Sequence, residues 1–413
     1  MSRLLLSLIF SVLVFAGPIN ALAQWSPVFQ TPTPSSYVFE MITTDTDFFI
    51  GTDVDGIFVW DAGGNTWNAV NTGLTDKRVH SIAVSGTTLF AGTLGGVFRS
   101  TDNGANWTAV NTGLTSLSIY PLVVDGTTLF TGGHNGGMFR STDEGETWVP
   151  INNGLTDPNI NSIVVVGTDL FAATNDGVFR SSDDGANWVP VSVGMTNKLV
   201  TWITAHNTDL YATTYGGGVF RSTNRGVSWT AVNTGLTDPL VLTLLAHDND
   251  LFAGTNDSGV FHSPDNGANW TNITEGTPGM ESILSFIVVG DDLYAGTSTS
   301  GATGVWRRPL SEMVTSIEKI AGSEIPIDVT LEQNYPNPFK TESTVELSVP
   351  ETDHMRLVIY DLLGAEQMVL VDRMVERGVH RVSLDASNLV SGAYFYRLET
   401  GGVQLTRKML IVK

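Results

Sequence analysis

Apolar and polar residues alternate with a period of two along most of this chain, and Gly, Asn, Asp and Ser interrupt the alternation at short intervals. That pattern describes half-buried strands joined by tight turns, and no apolar stripe of helical period competes with it. In the stretch that ends at Trp107 the pattern predicts strand a at Val79–Val84, strand b at Thr88–Gly92, strand c at Gly96–Ser100 and strand d at Asn106–Val110.

The same stretch recurs. Ser100-Thr101-Asp102-Asn103-Gly104-Ala105-Asn106-Trp107 returns with Ser141, Asp143, Gly145 and Trp148, then with Ser181, Asp183, Gly185 and Trp188. It returns again with Ser222, Gly226 and Trp229, where Asn224-Arg225 replaces the acid, and with Ser263, Asp265, Gly267 and Trp270. A weaker copy reads Trp60-Asp61-Ala62-Gly63-Gly64 and ends at Trp67. Successive tryptophans at 67, 107, 148, 188, 229 and 270 stand 40, 41, 40, 41 and 41 residues apart. A period of about 40 residues holding four short strands is a propeller blade. The repeated element then falls on the turn between strands c and d. There Gly supplies a positive φ, the Ser and Asp oxygens cap turn amides, and the Trp packs beneath, between neighbouring sheets.

Strand c occurs seven times, around Phe58, Phe98, Phe139, Phe179, Phe220, Phe261 and Trp306. Nothing like strand d follows Trp306, but Trp25-Ser26-Pro27-Val28 matches Trp107-Thr108-Ala109-Val110. The first strand should therefore complete the last blade and remove the free sheet edges that would template aggregation. The expectation is an all-β chain with a seven-bladed propeller over residues 24–310. The repeated element resembles the Asp-box, or BNR, repeat of sialidases, sortilin-like receptors, xyloglucanase-type glycosidases and photosystem II assembly-factor-like propellers. The resemblance implies a fold and a structural role for the box, not a function.

After Pro309 the repeat stops, and residues 311–330, without aromatic residues, read as a linker. A small β-sandwich is expected over 331–413, with short strands such as Val345–Val349 and Leu405–Val412. Its opening, Asn334-Tyr335-Pro336-Asn337-Pro338-Phe339, the run Ser391-Gly392-Ala393-Tyr394-Phe395-Tyr396 and the final Arg407-Lys408-Met409-Leu410-Ile411-Val412-Lys413 resemble the type A sorting domain of the type IX secretion system. That resemblance implies the secretion machinery as a partner and export across the outer membrane.

The N-terminus agrees with export. Arg3 precedes an apolar run from Leu4 to Phe15, and Ala21-Leu22-Ala23 forms a cleavage pattern, so residues 1–23 read as a signal peptide. That run is short for a membrane span, and no later stretch supplies a transmembrane helix. The 413 residues carry a formal charge of -21, which argues against nucleic acid as a partner. The absence of cysteine excludes disulfides and thiolate chemistry.

Ligands of propellers usually meet the face formed by the d–a and b–c loops. On that face the candidates are His134, Asn135 and Tyr215, with Tyr120 and Trp202 at the starts of strands as a stacking platform. Asp55, Asp176 and Asp257 are weak candidates for a catalytic carboxylate pair, because each also stands beside a turn glycine. Sialidase chemistry needs an arginine triad, whereas Arg99, Arg140, Arg180 and Arg221 all occupy one strand-c position beside the box. No histidine spacing suits a metal, and no cofactor motif is present. The reading is a surface-exposed, non-catalytic module that binds a glycan or a protein. The alternative is a glycoside hydrolase using the three aspartates.

Overall fold

Glycine and Asx punctuation cuts the chain into strands too short to stand alone, and each group of four pairs into one antiparallel sheet. The second blade comprises Val79–Ser85, Thr88–Thr93, Gly96–Ser100 and Thr108–Ala109, in that order from the inside outwards. The computed structural model describes residues 25–413 apart from 34–35, 45, 62–65, 249, 275–278, 299–302, 311–316, 320–325, 376 and 387–388. The expected signal peptide and residues 62–64 of the first box lie outside the described residues.

Seven such sheets occur in residues 26–309. In the seventh, Ser26–Gln30 pairs with Gly304–Pro309, so the first strand closes the last blade. The innermost strands touch around a complete ring, Val38–Thr43 meeting both Val79–Ser85 and Ile283–Val289. Rings on strand c, among them Phe98, Phe139, Phe179, Phe220 and Phe261, are each 1% exposed between the sheets. Truncating one such ring to alanine costs about 3–5 kcal/mol.

The box turns show how little sequence is needed to fix a corner. Ser141 Oγ accepts from Gly145 N at 2.9 Å and donates to Asp143 Oδ1 at 2.8 Å, which itself accepts from Thr147 N at 2.9 Å. In the copy without an acid, Asn224 Oδ1 takes the same place and accepts from Ser228 N at 2.9 Å. An amide oxygen serves as well as a carboxylate because the turn needs an acceptor rather than a charge. The box tryptophans then tie blades together. Trp107, Trp148, Trp188, Trp229 and Trp270 donate Nε1–H to Val70, Val110, Ile151, Val191 and Val232 carbonyls of the preceding blade at 2.7–2.8 Å. Trp25 makes the equivalent bond to Ile273 O at 3.1 Å, which places it in the role of the seventh box tryptophan. A further tie comes from the Asn-Thr-Gly-Leu segments: a Cβ on Gly113, at φ +94°, would collide with the carbonyl oxygen of Trp148.

Two features differ from the sequence expectation. Strand d of the second blade is Thr108–Ala109 rather than Asn106–Val110, because Asn106 is held by Asp102 in the turn and Trp107 N bonds to Thr72 O of the neighbouring blade. Part of the expected linker is also paired: Ile317–Lys319 adds to a sheet formed by Gly378–Asp385, Glu342–Val349 and Thr330–Leu331.

A second four-stranded sheet, of Glu366–Val375, Asp353–Tyr360, Gly392–Thr400 and Val403–Ile411, completes a sandwich whose core includes Leu347, Leu357, Tyr396 and Met409. The Asn334–Phe339 segment forms a corner of that sandwich. Asn334 is 1% exposed, its backbone N–H donates to Tyr396 Oη at 2.8 Å, and its amide donates to Ser343 Oγ at 2.8 Å. Asn337 Oδ1 accepts from Leu410 N at 2.9 Å, and Phe339 is buried. The peptide bonds before Pro336 and Pro338 are cis, and Tyr335 is exposed.

Candidate functional site at the channel mouth

Every innermost strand carries a register shift just after its first residue, as between Val38 and Glu40 or between Val79 and Ser81. A bulge re-aims the side chain at that point. The residues set there are Phe39, His80, Tyr120, Asn161, Thr201, Leu242 and Leu284, all half-buried around the mouth of the ring. On blades one to three they are aromatic and in contact. Phe39 stacks on His80 with centroids 4.2 Å apart, and Tyr120 meets His80 edge-on at 4.8 Å. On blades four and five they are polar and bond across the seams, Asn161 Nδ2 to Val200 O at 2.7 Å and Thr201 Oγ1 to Val241 O at 2.6 Å.

Charged groups flank the aromatic run. Arg78 donates through Nε to Asp76 Oδ1 at 3.0 Å and forms an ion pair with the same carboxylate. Those hydrogen bonds hold the Asp76 carboxyl below the usual range. Asp53, on the adjoining b–c loop, is pushed above its ordinary value by burial, with Arg78 opposing. Burial, with Arg78 adding to it, lowers His80 to about 4, so the imidazole is neutral at pH 7. Burial raises Glu40 to about 8, so its carboxyl is largely protonated there. One Glu40 oxygen accepts from Met41 N at 3.2 Å.

The three aspartates considered for catalysis stand on blades one, four and six, and among the described residues no contact joins them. Asp55 accepts from Thr33 N and Oγ1 at 3.1 and 2.7 Å. Asp176 faces Lys198 at 3.4 Å, and the Asp257 backbone amide donates to Asp238 Oδ2 at 3.0 Å. His134 and Asn135 are exposed on a turn in which Asn135 has φ +56°. Tyr215 is 46% exposed and bridges to Leu240, whereas Trp202 packs on the cluster between blades five and six. Of the named aromatics, Tyr120 alone belongs to the contiguous run. Arg180 pairs with Asp169 at 2.8 Å and Arg99 with Glu146 of the next box at 2.7 Å.

Sequence reasoning passed over Phe39 and Glu40. The signal was available in the alignment of repeats: Glu40 occupies the position held by Ser81, Ser162, Thr243 and Ser285 in other blades. Among the described residues, no group of three His, Asp or Glu is arranged to hold a metal ion.

Residues 333–413 match the family of the secretion system C-terminal sorting domain. Residues 35–152 and 127–238 match the DUF6242 β-propeller domain. No curated protein sequence matches the chain. Among solved structures it is similar to YCF48 from Cyanidioschyzon merolae, at 16% identity and a TM-score of 0.54, covering 70% of this chain and 98% of that one. It is also similar to PorZ, a surface component of the type IX secretion system of Porphyromonas gingivalis, at 15% identity and a TM-score of 0.54, covering 91% of this chain and 59% of that one. An ancestral GH74 enzyme is 15% identical with a TM-score of 0.51, covering 93% of this chain and 63% of that one. The chain thus spans less than two thirds of the length of the latter two, and at these identities the likeness is one of fold. Through residues 333–413 the chain belongs to the proteins that carry the type IX C-terminal sorting domain, and it is a β-propeller exported by that route to the cell surface or beyond it.

Proposed function

We propose that the propeller is a non-catalytic binding module that captures a protein segment at the channel mouth of blades one to three. The observation that carries this reading is the run Phe39–His80–Tyr120 beside Asp53, Asp76 and Arg78. It combines half-buried rings with oriented charge of both signs, the composition of interface anchors. The short b–c loops leave the face open, without the walls that a polysaccharide cleft needs. A YCF48 structure that is 14% identical, with a TM-score of 0.56, is bound to a D1 peptide, so a propeller of this fold is compatible with a peptide ligand. The hydrolase alternative has less support, since Asp55, Asp176 and Asp257 are engaged separately rather than as a pair at about 5–10 Å.

A test is selection of displayed peptides on the full chain, with affinities then measured by fluorescence anisotropy. Peptides selected by the parent should lose about tenfold or more in affinity for Tyr120→Ala and for Arg78→Ala. A reducing-sugar assay on a polysaccharide panel runs alongside. Sugar release that disappears in Asp55→Asn, Asp176→Asn or Asp257→Asn would overturn the reading in favour of an enzyme.

A further inference from the structure

One carboxylate at the channel mouth has no structural task. Asp53 follows the last residue of strand b in blade one, a position held by Leu94, His134, Asn175, Tyr215, Asn256 and Ser298 in the other six blades. Its backbone amide donates to Tyr37 O at 2.9 Å, and the same main-chain bond forms at Leu94, Tyr215, Asn256 and Ser298, where no acid is present. The turn therefore does not require a carboxylate. The Asp53 side chain is half-buried, yet among the described residues it makes no hydrogen bond and no ion pair. Partial burial strips it of some of its water, so a cation brought to it is held more tightly than on open surface.

The protein's own cations leave that place free. Arg78 is committed to Asp76, which accepts from its backbone N at 2.9 Å and from its Nε at 3.0 Å and completes an ion pair with its Nη2. Lys77, the other cation of that loop, is exposed to water, where its charge is screened. Aromatic rings stand beside the carboxylate. Tyr37, whose carbonyl receives the Asp53 amide, meets Phe39 edge-on with centroids 6.2 Å apart and extends the run to Tyr37–Phe39–His80–Tyr120. Ring faces attract cations, and His80, neutral at pH 7, adds a ring without a competing charge.

We propose that the anchor of the captured segment is an Arg or Lys side chain whose charge pairs with Asp53 and whose stem lies along Tyr37 and Phe39, a step that rests on the reading of the channel mouth as a site for a protein segment. A cationic side chain uses both features at once, since its apolar stem covers rings while its head reaches a carboxylate. An acidic anchor would meet Asp53 and Asp76 in a chain of net charge -21. A bare metal ion lacks ligands, because no group of three His, Asp or Glu converges among the described residues.

The experiment uses displayed peptides selected on the full chain and resynthesised with each Arg or Lys changed in turn to Gln. One such change should weaken binding about tenfold or more. Asp53→Asn should weaken the cationic peptide by a similar factor and leave its Gln counterpart unaffected, the mark of a direct pair. Asp176→Asn removes the same charge from blade four and should change neither affinity, which separates a local pair from general attraction. Asp53→Asn should melt no lower than the parent, because the carboxylate holds nothing in the fold; a lower melting temperature would give it a structural role and overturn the proposal. Peptides that bind and are weakened by Tyr120→Ala, but tolerate every Gln change or are indifferent to Asp53→Asn, overturn the cationic anchor while leaving the peptide site standing. Failure to select any peptide overturns both.

Discussion

Two side chains on the adjoining first and second blades titrate in opposite senses. Glu40, raised to about 8 from an ordinary 4.5, holds its proton in the folded chain after the unfolded chain has lost it. Folding is therefore penalised progressively as pH rises from about 4.5 to 8. His80, lowered to about 4 from 6.5, stays neutral when the unfolded chain is already protonated, so its penalty grows as pH falls through that interval. Glu40→Gln should thus melt higher than the parent at pH 9 and draw level near pH 4. His80→Phe should gain at pH 4 relative to the parent and show little gain at pH 7.5. Melting curves across pH read both effects. At the box, Ser141→Ala leaves the buried Gly145 amide without its acceptor, a cost of about 1–3 kcal/mol that denaturant titration would show.

At the scale of the element, the strand that closes the ring matters more than its five residues suggest. Removing residues 25–30 takes away the outer strand of blade seven and the Trp25 bond to Ile273, exposing an unpaired edge at Gly304–Pro309. The shortened chain should aggregate or associate, a change that size-exclusion chromatography detects. This strand was legible in the sequence because Trp25-Ser26-Pro27-Val28 copies a repeat whose other members were complete. Strand d was overestimated because Asn106 and Trp107 look like strand residues, yet their partners, Asp102 and Thr72, lie in a turn and in another blade. The aromatic run was only half visible. Tyr120 interrupts small repeat positions, but its contact with Phe39 through His80 arises from three bulges whose alignment no local pattern reveals.

Across the whole molecule the repeats create near-symmetry, and the proposed binding site lies where the symmetry fails. Phe39, His80 and Tyr120 occupy three of the seven positions at the channel mouth, and six seams are tied by a tryptophan bond that Trp67 of blade one does not make among the described residues. Both departures adjoin blade one, which touches the last blade of the ring.

That closure also has a kinetic side. Ser26 and Arg307 pair across 281 positions of sequence, while most blade contacts join residues a few tens of positions apart. Ring completion is the contact of longest range, so it should dominate the time the propeller takes to reach its native state. A circular permutant that begins at Val38 and joins Pro309 directly to Trp25 through a short turn would convert this closure into an ordinary hairpin. It should refold faster than the parent in stopped-flow experiments while giving the same circular dichroism spectrum.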